Sequence, residues 1–207
     1  DLENRPNPQF GATVKEGSKM AFNVENFTSV IAKKGLASSN KFEVSISFPS
    51  TGLASILPET ELNLMCDTAT IAGKTIQSTP EIHYGVRREV AYNAPTFDPL
   101  TLTFYCTEKL AEKKLLDAWQ NIIVQHSNPN NGKGGNFNVA YYDTYAKSSI
   151  ITITKLSVSG EPVYKHEYRE VYPKTVSAIE LSHATSSGPM KVSATFNYIY
   201  WKDVTQS

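Results

Sequence analysis

The residue types that most often carry chemistry are sparse and scattered in this chain. The four histidines, His83, His126, His166 and His183, lie on separate stretches. No two of them have the short spacing that presents a pair of metal ligands from one element. Each reads as a strand or helix-end surface residue, although folding can still bring His166 and His183 together on neighbouring strands. The two cysteines, Cys66 and Cys106, are too few for a disulfide scaffold and have no clustered histidines to share a zinc ion, so they read as reduced, buried thiols. No G-x-S-x-G elbow is present. The run Gly132–Gly135 (GKGG) lacks the preceding strand and following helix that would aim backbone amides at a phosphate, and reads as a solvated loop. With no acid, base and nucleophile to assemble, no catalytic residue, metal ligand or cofactor site is expected.

The remaining candidates are groups that hold surfaces together. Glu161, Glu167 and Glu170 interleave with Lys165, His166 and Arg169, which is either a solvated strand face or an inter-subunit contact. Arg87–Arg88–Glu89 has the same two readings. The eleven tyrosines and nine phenylalanines suit strand cores and interfaces, with sugar binding the weaker use. Asn26–Phe27–Thr28 spells a glycosylation sequon, which has no meaning without a secretion signal.

The elements that position these groups are mostly strands. Lys41–Phe48 (KFEVSISF) alternates strictly, with Phe42, Val44, Ile46 and Phe48 on one face. Ser50–Glu61 reads as a loop and Leu62–Ile71 as a strand broken at Gly73. Pro80–Ala91 reads as the two arms of a long hairpin. Leu100–Cys106 alternates after the turn signal Phe97–Pro99. One clear helix follows from Glu108 to about Val124, with Thr107 as N-cap, Glu108 and Glu112 near the positive end of its dipole, and Leu115, Leu116, Trp119, Ile122 and Ile123 as its apolar stripe. Asn23–Ala37 forms a shorter helix closed by Gly35, and the polar stretch before it reads as an extended arm. After the Asn- and Gly-rich loop Ser127–Gly135, strands are expected at Phe137–Tyr145, Ser148–Ser157, Val163–Pro173, Thr175–Ser182 and Lys191–Trp201. The fold class is therefore mainly β: an antiparallel β-sandwich or barrel with one packed helix over about residues 108–124 and a short N-terminal helix. The domains expected are an arm over residues 1–39 and a β-sandwich over 40–207.

The bulk numbers narrow the partners. The chain has 207 residues, and its 20 Lys and Arg balance its 20 Asp and Glu. That balance lacks the basic excess with which nucleic-acid binders neutralise phosphate, and it does not oppose self-association. No apolar run is long enough to span a membrane, and no basic-then-apolar signal opens the sequence, so synthesis in the cytoplasm is expected.

Four segments in order resemble the tail tube proteins of contractile-tailed phages and the related tube-initiator subunits of their baseplates. They are NKFEVSISFPS (Asn40–Ser50), CDTATIAGKTIQS (Cys66–Ser78), FDPLTLTFYCTEKLAEKKLLDAWQNII (Phe97–Ile123) and VYPKTVSAIELSHATSSGPMKVSATFNYIYW (Val171–Trp201). No single segment is diagnostic; the ordered set carries the resemblance. It implies a structural, non-enzymatic subunit that forms hexameric rings. Strands of neighbouring copies would join into one barrel, and the rings would stack around a lumen that passes DNA. The expected partners are further copies of itself, tail sheath, baseplate and tape-measure proteins, with no membrane. The expected location is the phage tail of the virion, assembled in the host cytoplasm. The resemblance places inter-subunit contacts on the Thr79–Ala91 hairpin and the closing strands, at His83, Tyr84, Arg87, Arg88, Glu89, Tyr198 and Trp201. It places inter-ring or sheath contacts on the arm Asp1–Gly35 and the loop Asn128–Gly135, including Asn131 and Lys133. The long arm and its helix lean towards a tube initiator or a specialised tube protein without deciding between them and the repeating subunit. The alternatives are a tube subunit of a bacterial injection system and, more remotely, an aromatic-rich β-sandwich binding module.

Overall fold

The computed structural model describes residues 24–49, 51–83, 85–126, 135, 137–183 and 188–205. In chain order the elements are α1 (Val24–Lys34), β1 (Phe42–Ser47), α2 (Thr51–Ala54), α3 (Glu59–Leu64), β2 (Cys66–Ala69), β3 (Lys74–Thr75), β4 (Ser78–His83), β5 (Val86–Ala91) and β6 (Thr96–Phe97). They continue with β7 (Leu100–Tyr105), α4 (Ala111–Ile123), α5 (Tyr142–Tyr145), β8 (Ile150–Leu156), β9 (Pro162–Arg169), β10 (Tyr172–Val176), β11 (Lys191–Asn197) and β12 (Tyr200–Asp203). The chain divides into a unit Asp1–Ala37, of which α1 is described, and a unit Ser38–Ser207. Among the described residues no helix is long and apolar enough to cross a membrane.

The larger unit is an antiparallel β-sandwich. Its first sheet has the order β1-β8-β9-β12 and its second the order β10-β11-β7-β2. Alternation decides which side chains go between them. Val44 and Ile46 of β1, Ile151 and Ile153 of β8 and Tyr168 of β9 meet Leu100, Leu102 and Phe104 of β7 and Val192, Ala194 and Phe196 of β11 in one buried core. The intervening residues Glu43, Ser45 and Ser47 of β1 are exposed. Helix α4 packs its stripe against β10 and β11, with Leu115, Leu116 and Trp119 fully buried. The Trp119 ring sits edge-on to Phe48 at 5.7 Å and tilted against Phe196 at 6.0 Å, and its Nε1–H donates to the Tyr145 carbonyl at 3.1 Å.

Helix α1 carries Val24, Phe27 and Val30 on its surface, all more than half exposed. Gly35 ends it in the left-handed region at φ 71°, donating back to the Ile31 carbonyl at 2.7 Å.

Several local expectations are corrected. The stretch read as a loop over Ser50–Glu61 contains α2 and α3. Pro58 precedes α3, Glu59 and Glu61 occupy its first turn, and Leu53, Leu57 and Leu62 anchor the pair in the core. The strand expected from Leu62 therefore starts only at Cys66. Within Phe137–Tyr145, Tyr142–Tyr145 form a helical turn, and the only strand-like residue is Val139, bridged to Val124. The strand expected over Thr175–Ser182 ends at Val176, after a register shift between Pro173 and Thr175. The continuous strand Lys191–Trp201 is two strands, β11 and β12, which lie in different sheets.

Helix α4 starts at Ala111, because Leu110 takes a left-handed conformation at φ 53°. Thr107 still serves the helix start: its Oγ1 accepts from the Ala111 N–H at 3.4 Å and donates to Glu112 Oε2 at 3.0 Å. Glu112 is fully buried by that contact and by the Thr107 N–H at 2.9 Å, so it acts as an internal acceptor and not as a surface acid.

Candidate assembly surface

A β-sandwich leaves four strand edges, and unpaired backbone there is a template for further pairing. The chain treats its edges differently. At β10, Gln120 of α4 donates through Nε2 to the carbonyls of Pro173 and Lys174 at 3.5 and 3.2 Å. Pro173 has no N–H to offer, and the register shift beside it bends the strand. That edge is covered at Pro173 and Lys174.

The edge of β1 is sealed over half its length. The even-numbered residues point their N–H groups away from β8. Asn63 Oδ1 of α3 accepts from the Ile46 N–H at 2.9 Å, and Glu59 Oε1 accepts from the Phe48 N–H at 2.9 Å. The outward N–H and C=O groups of Phe42 and Val44 have no partner among the described residues. Beside them lies a hollow of about 370 Å³ lined by Phe42, Glu43, Val44, Thr60, Asn63, Leu64 and Cys66. It adjoins a larger groove of about 650 Å³ between β1 and β2, walled by Phe42, Ala69, Ile71 and Ile153.

Among the described residues the opposite edge of the first sheet, β12, is open. Tyr200 and Lys202 face β9, as does Val204, which donates to the Lys165 carbonyl at 2.8 Å. The backbone groups of Trp201 and Asp203 therefore point outward. Trp201 fixes the strand from within by stacking on His166, with ring centroids 4.3 Å apart and planes 21° from parallel. His166 is 2% exposed. Its Nε2 hydrogen-bonds the Tyr164 hydroxyl, and its Nδ1 lies 3.4 Å from the Tyr168 Oη, which also accepts from the Ala72 N–H at 3.1 Å. Burial holds the imidazole below its ordinary titration range, with the Asp203 carboxylate opposing that shift.

The face of the first sheet turned away from the core is mainly polar, with Val163 and Tyr200 its exposed apolar residues. Across it run Glu43, Ser45, Thr152, Lys165, Glu167 and Lys202. Glu167 forms ion pairs with Arg169 and with Lys202, the latter at 3.4 Å. The expected mixed-charge patch thus splits by strand alternation. Glu167 and Arg169 lie on this outer face, whereas His166 points into the core.

The hairpin β4–β5 is a separate two-stranded sheet with Gly85 at φ 82° in its turn. It exposes Ile82 (72%) and Val90 (39%). Arg87 pairs with Glu89 at 3.5 Å, and Arg88 lies opposite Glu81. His83 ends β4. Tyr84, Asn131 and Lys133 fall outside the described residues. Tyr198 and Trp201 are half-buried and engaged within the chain. The Tyr198 hydroxyl donates to the Asp98 carbonyl at 2.8 Å, and its ring meets Tyr168 at 4.9 Å.

Catalytic groups are not drawn together at any of these places. Among the described residues no cluster of His, Cys, Asp and Glu suits a metal ion. Both thiols are free and half-buried. Burial, with Asp67 adding to it, pushes Cys66 up to about 12, and burial also raises Cys106.

A family model described as phage tail tube protein matches residues 37–204, which spans both sheets, α4 and both open edges. The chain belongs to the phage tail tube protein family. It is a structural subunit of the tail-tube type, and solved structures agree on the fold. A chain of the anti-feeding prophage tube-terminating cap superposes with a TM-score of 0.56 at 13% identity, covering 83% of this chain and 92% of that one. A chain of the anti-feeding prophage baseplate, solved with 6-fold symmetrisation, gives 0.54 at 11% identity, covering 82% and 96%. A chain of the sheath-tube complex of an extracellular contractile injection system in its extended state gives 0.50 at 14%, covering 86% and 98%. No protein of curated function matches this family member by sequence. Sequence reasoning found the hairpin of this tail tube subunit. It missed Glu43, Glu59, Asn63 and Lys202, and the Pro58–Glu59 start of a helix was the one available signal for two of them.

Proposed function

We propose that copies of this chain join edge to edge into a closed, hexameric ring, and that rings stack into a tube whose lumen passes DNA. The observation that carries this reading is the asymmetry of the first sheet, which seals neither of its two ends completely and presents one mainly polar face. Joining β12 of one copy to β1 of the next removes both open edges at once and curls the sheet into a barrel. The outer face then becomes the lumen wall. Its mixture of Glu43 and Glu167 with Lys165, Arg169 and Lys202 gives a passing polyanion no continuous basic surface to adhere to.

The hairpin β4–β5 supplies further ring contacts. An isolated two-stranded sheet is marginal in water, and cover for Ile82 and Val90 would stabilise it. His83, Tyr84, Arg87, Arg88 and Glu89 belong to that contact, and Tyr198 and Trp201 support the joint strand from behind. Asn131 and Lys133, with the N-terminal arm, are assigned to contacts between rings or with the sheath. Sheath, baseplate and tape-measure proteins are the proposed partners, and the virion tail, assembled in the host cytoplasm, is the proposed location. The sheath-tube and baseplate settings of the structural neighbours support this. Their settings equally suit a tube-initiator subunit or a bacterial injection tube.

Negative-stain electron microscopy of the purified protein tests the reading. Rings or tubes are expected, and Arg88→Glu or Tyr84→Ala should shorten them while the monomer stays folded. Particles that remain featureless monomers at high concentration would refute it.

A further inference from the structure

The two ends of the first sheet fit each other at one register. We propose that β12 of a second copy pairs antiparallel with the open half of β1, with Val44 opposite Trp201 of the second copy, Phe42 opposite its Asp203 and Glu43 opposite its Lys202. This rests on the ring reading above and adds to it the residues that select the joint.

Direction follows from topology. The strands alternate in direction from β1 through β8 and β9 to β12, so β1 and β12 run oppositely. Rotation about a ring axis keeps each strand's direction, and the joint is therefore antiparallel. Length also matches. The open part of β1 offers outward backbone groups at two residues two positions apart, Phe42 and Val44, and β12 offers them at two residues two positions apart, Trp201 and Asp203. Each opposed pair can exchange both of its hydrogen bonds. All four side chains belong to the core-side face, so the pleat continues without a break.

Charge and α3 then choose among registers. Shifting the incoming strand by two residues towards Asn40 sets Lys202 of the second copy opposite Lys41, a like-charge pair that disfavours it. Shifting it the other way demands the Ile46 N–H, which Asn63 already occupies, with Glu59 holding Phe48 beyond. Between those limits Lys202 falls opposite Glu43. On the outer face it then lies between Glu43 of one copy and Glu167 of its own, in an alternating row. Asn63 and Glu59 are thus positioning residues: they stand in for a neighbouring strand over half of β1 and leave only the complementary half free. The hollow lined by Phe42, Val44 and Leu64 gives the incoming strand its space.

Disulfide trapping tests the register. Glu43 and Lys202 form a non-hydrogen-bonded pair in the proposed joint, where Cα atoms lie roughly 4.5 Å apart, within disulfide reach. Three double variants are oxidised after assembly: Glu43→Cys/Lys202→Cys, and the neighbouring registers Lys41→Cys/Lys202→Cys and Ser45→Cys/Lys202→Cys. The first should convert monomer to a ladder of covalent multimers on a non-reducing gel, while the other two and the wild type stay monomeric. In parallel, Glu43→Lys should reduce ring yield and Lys41→Glu should not. These are exchanges at the sheet surface that leave the core untouched. Rings by microscopy that crosslink through either neighbouring pair, or through none, overturn the register but leave the tube reading intact. Absence of rings or tubes in wild-type preparations overturns the tube reading itself, and the register with it.

Discussion

The edge strands β10 and β12 each follow a central strand by only a few residues, yet the chain handles them in opposite ways. At β10, a helix side chain occupies the carbonyls of Pro173 and Lys174, and a proline and a register shift interrupt the ladder beside them. At β12, the outward groups of Trp201 and Asp203 are left open while the strand is fastened from behind through His166. The half-sealed β1 combines both treatments. A sealed edge keeps the monomer soluble long enough to fold, and an open one stores pairing capacity for assembly. The contrast gives each edge a distinct cost when it is altered.

The largest effect is expected behind the sealed side. Trp119→Ala removes the ring wedged between Phe48 and Phe196 and should cost about 3–5 kcal/mol, read as a lowered urea midpoint. A loss below about 1 kcal/mol would show that α4 does not anchor this flank. Next is Asn63→Ala, which strips the acceptor from the Ile46 N–H and should cost roughly 1–3 kcal/mol. It also lengthens the open part of β1, so assemblies of mixed register should appear by microscopy, and uniform assemblies would blur the distinction between the halves of that strand. Gln120→Ala uncovers two carbonyls of a strand that is partly exposed, and about 0.5–1.5 kcal/mol should be lost. If it also provokes association through β10, the seal is confirmed as protective.

The smallest effect is the pH dependence of the open side. His166 is neutral and buried, and it titrates below its ordinary value of 6.5. The unfolded chain therefore binds the proton first. Stability from the neutral ring is complete above 6.5 and declines as pH falls from 6.5 towards the lowered folded value. Around the ring stand Tyr164 and Tyr168 of β9 and Trp201 and Asp203 of β12, and the ionised Asp203 limits the loss. Protection of the β12 amides, taken relative to their intrinsic exchange rate at each pH, should fall below pH 6.5 in wild type and lose that step in His166→Phe. Protection that stays flat with pH would separate the histidine from the edge it supports.

How much of this was legible depends on whether local pattern or long-range register decides a residue's role. The strand FEVSIS could be read because every second residue is apolar, and α4 because its stripe recurs at helical period. α3 hid because its residues Leu62 and Leu64, followed by Cys66, mimic strand alternation. The division of Lys191–Trp201 hid because the run Tyr198–Trp201, where alternation gives way to large residues on both faces, also fits one strand covered on both sides. The β4–β5 hairpin was visible from the spacing of Ile82, Tyr84, Val86 and Val90. Glu43, Asn63 and Lys202 were not, since an exposed charge or amide acquires meaning only when the strand opposite it is known.

That change of sheets has a mechanical consequence. β11 is held between β10 and β7 in the middle of the second sheet, and it runs through Tyr198 and Ile199 directly into the edge strand β12. Tyr198 is bolted there to the Asp98 carbonyl and wedged against Tyr168 and Phe97. A tug on β12 therefore travels along covalent backbone into a central strand of the second sheet, and load entering the edge is passed to both layers.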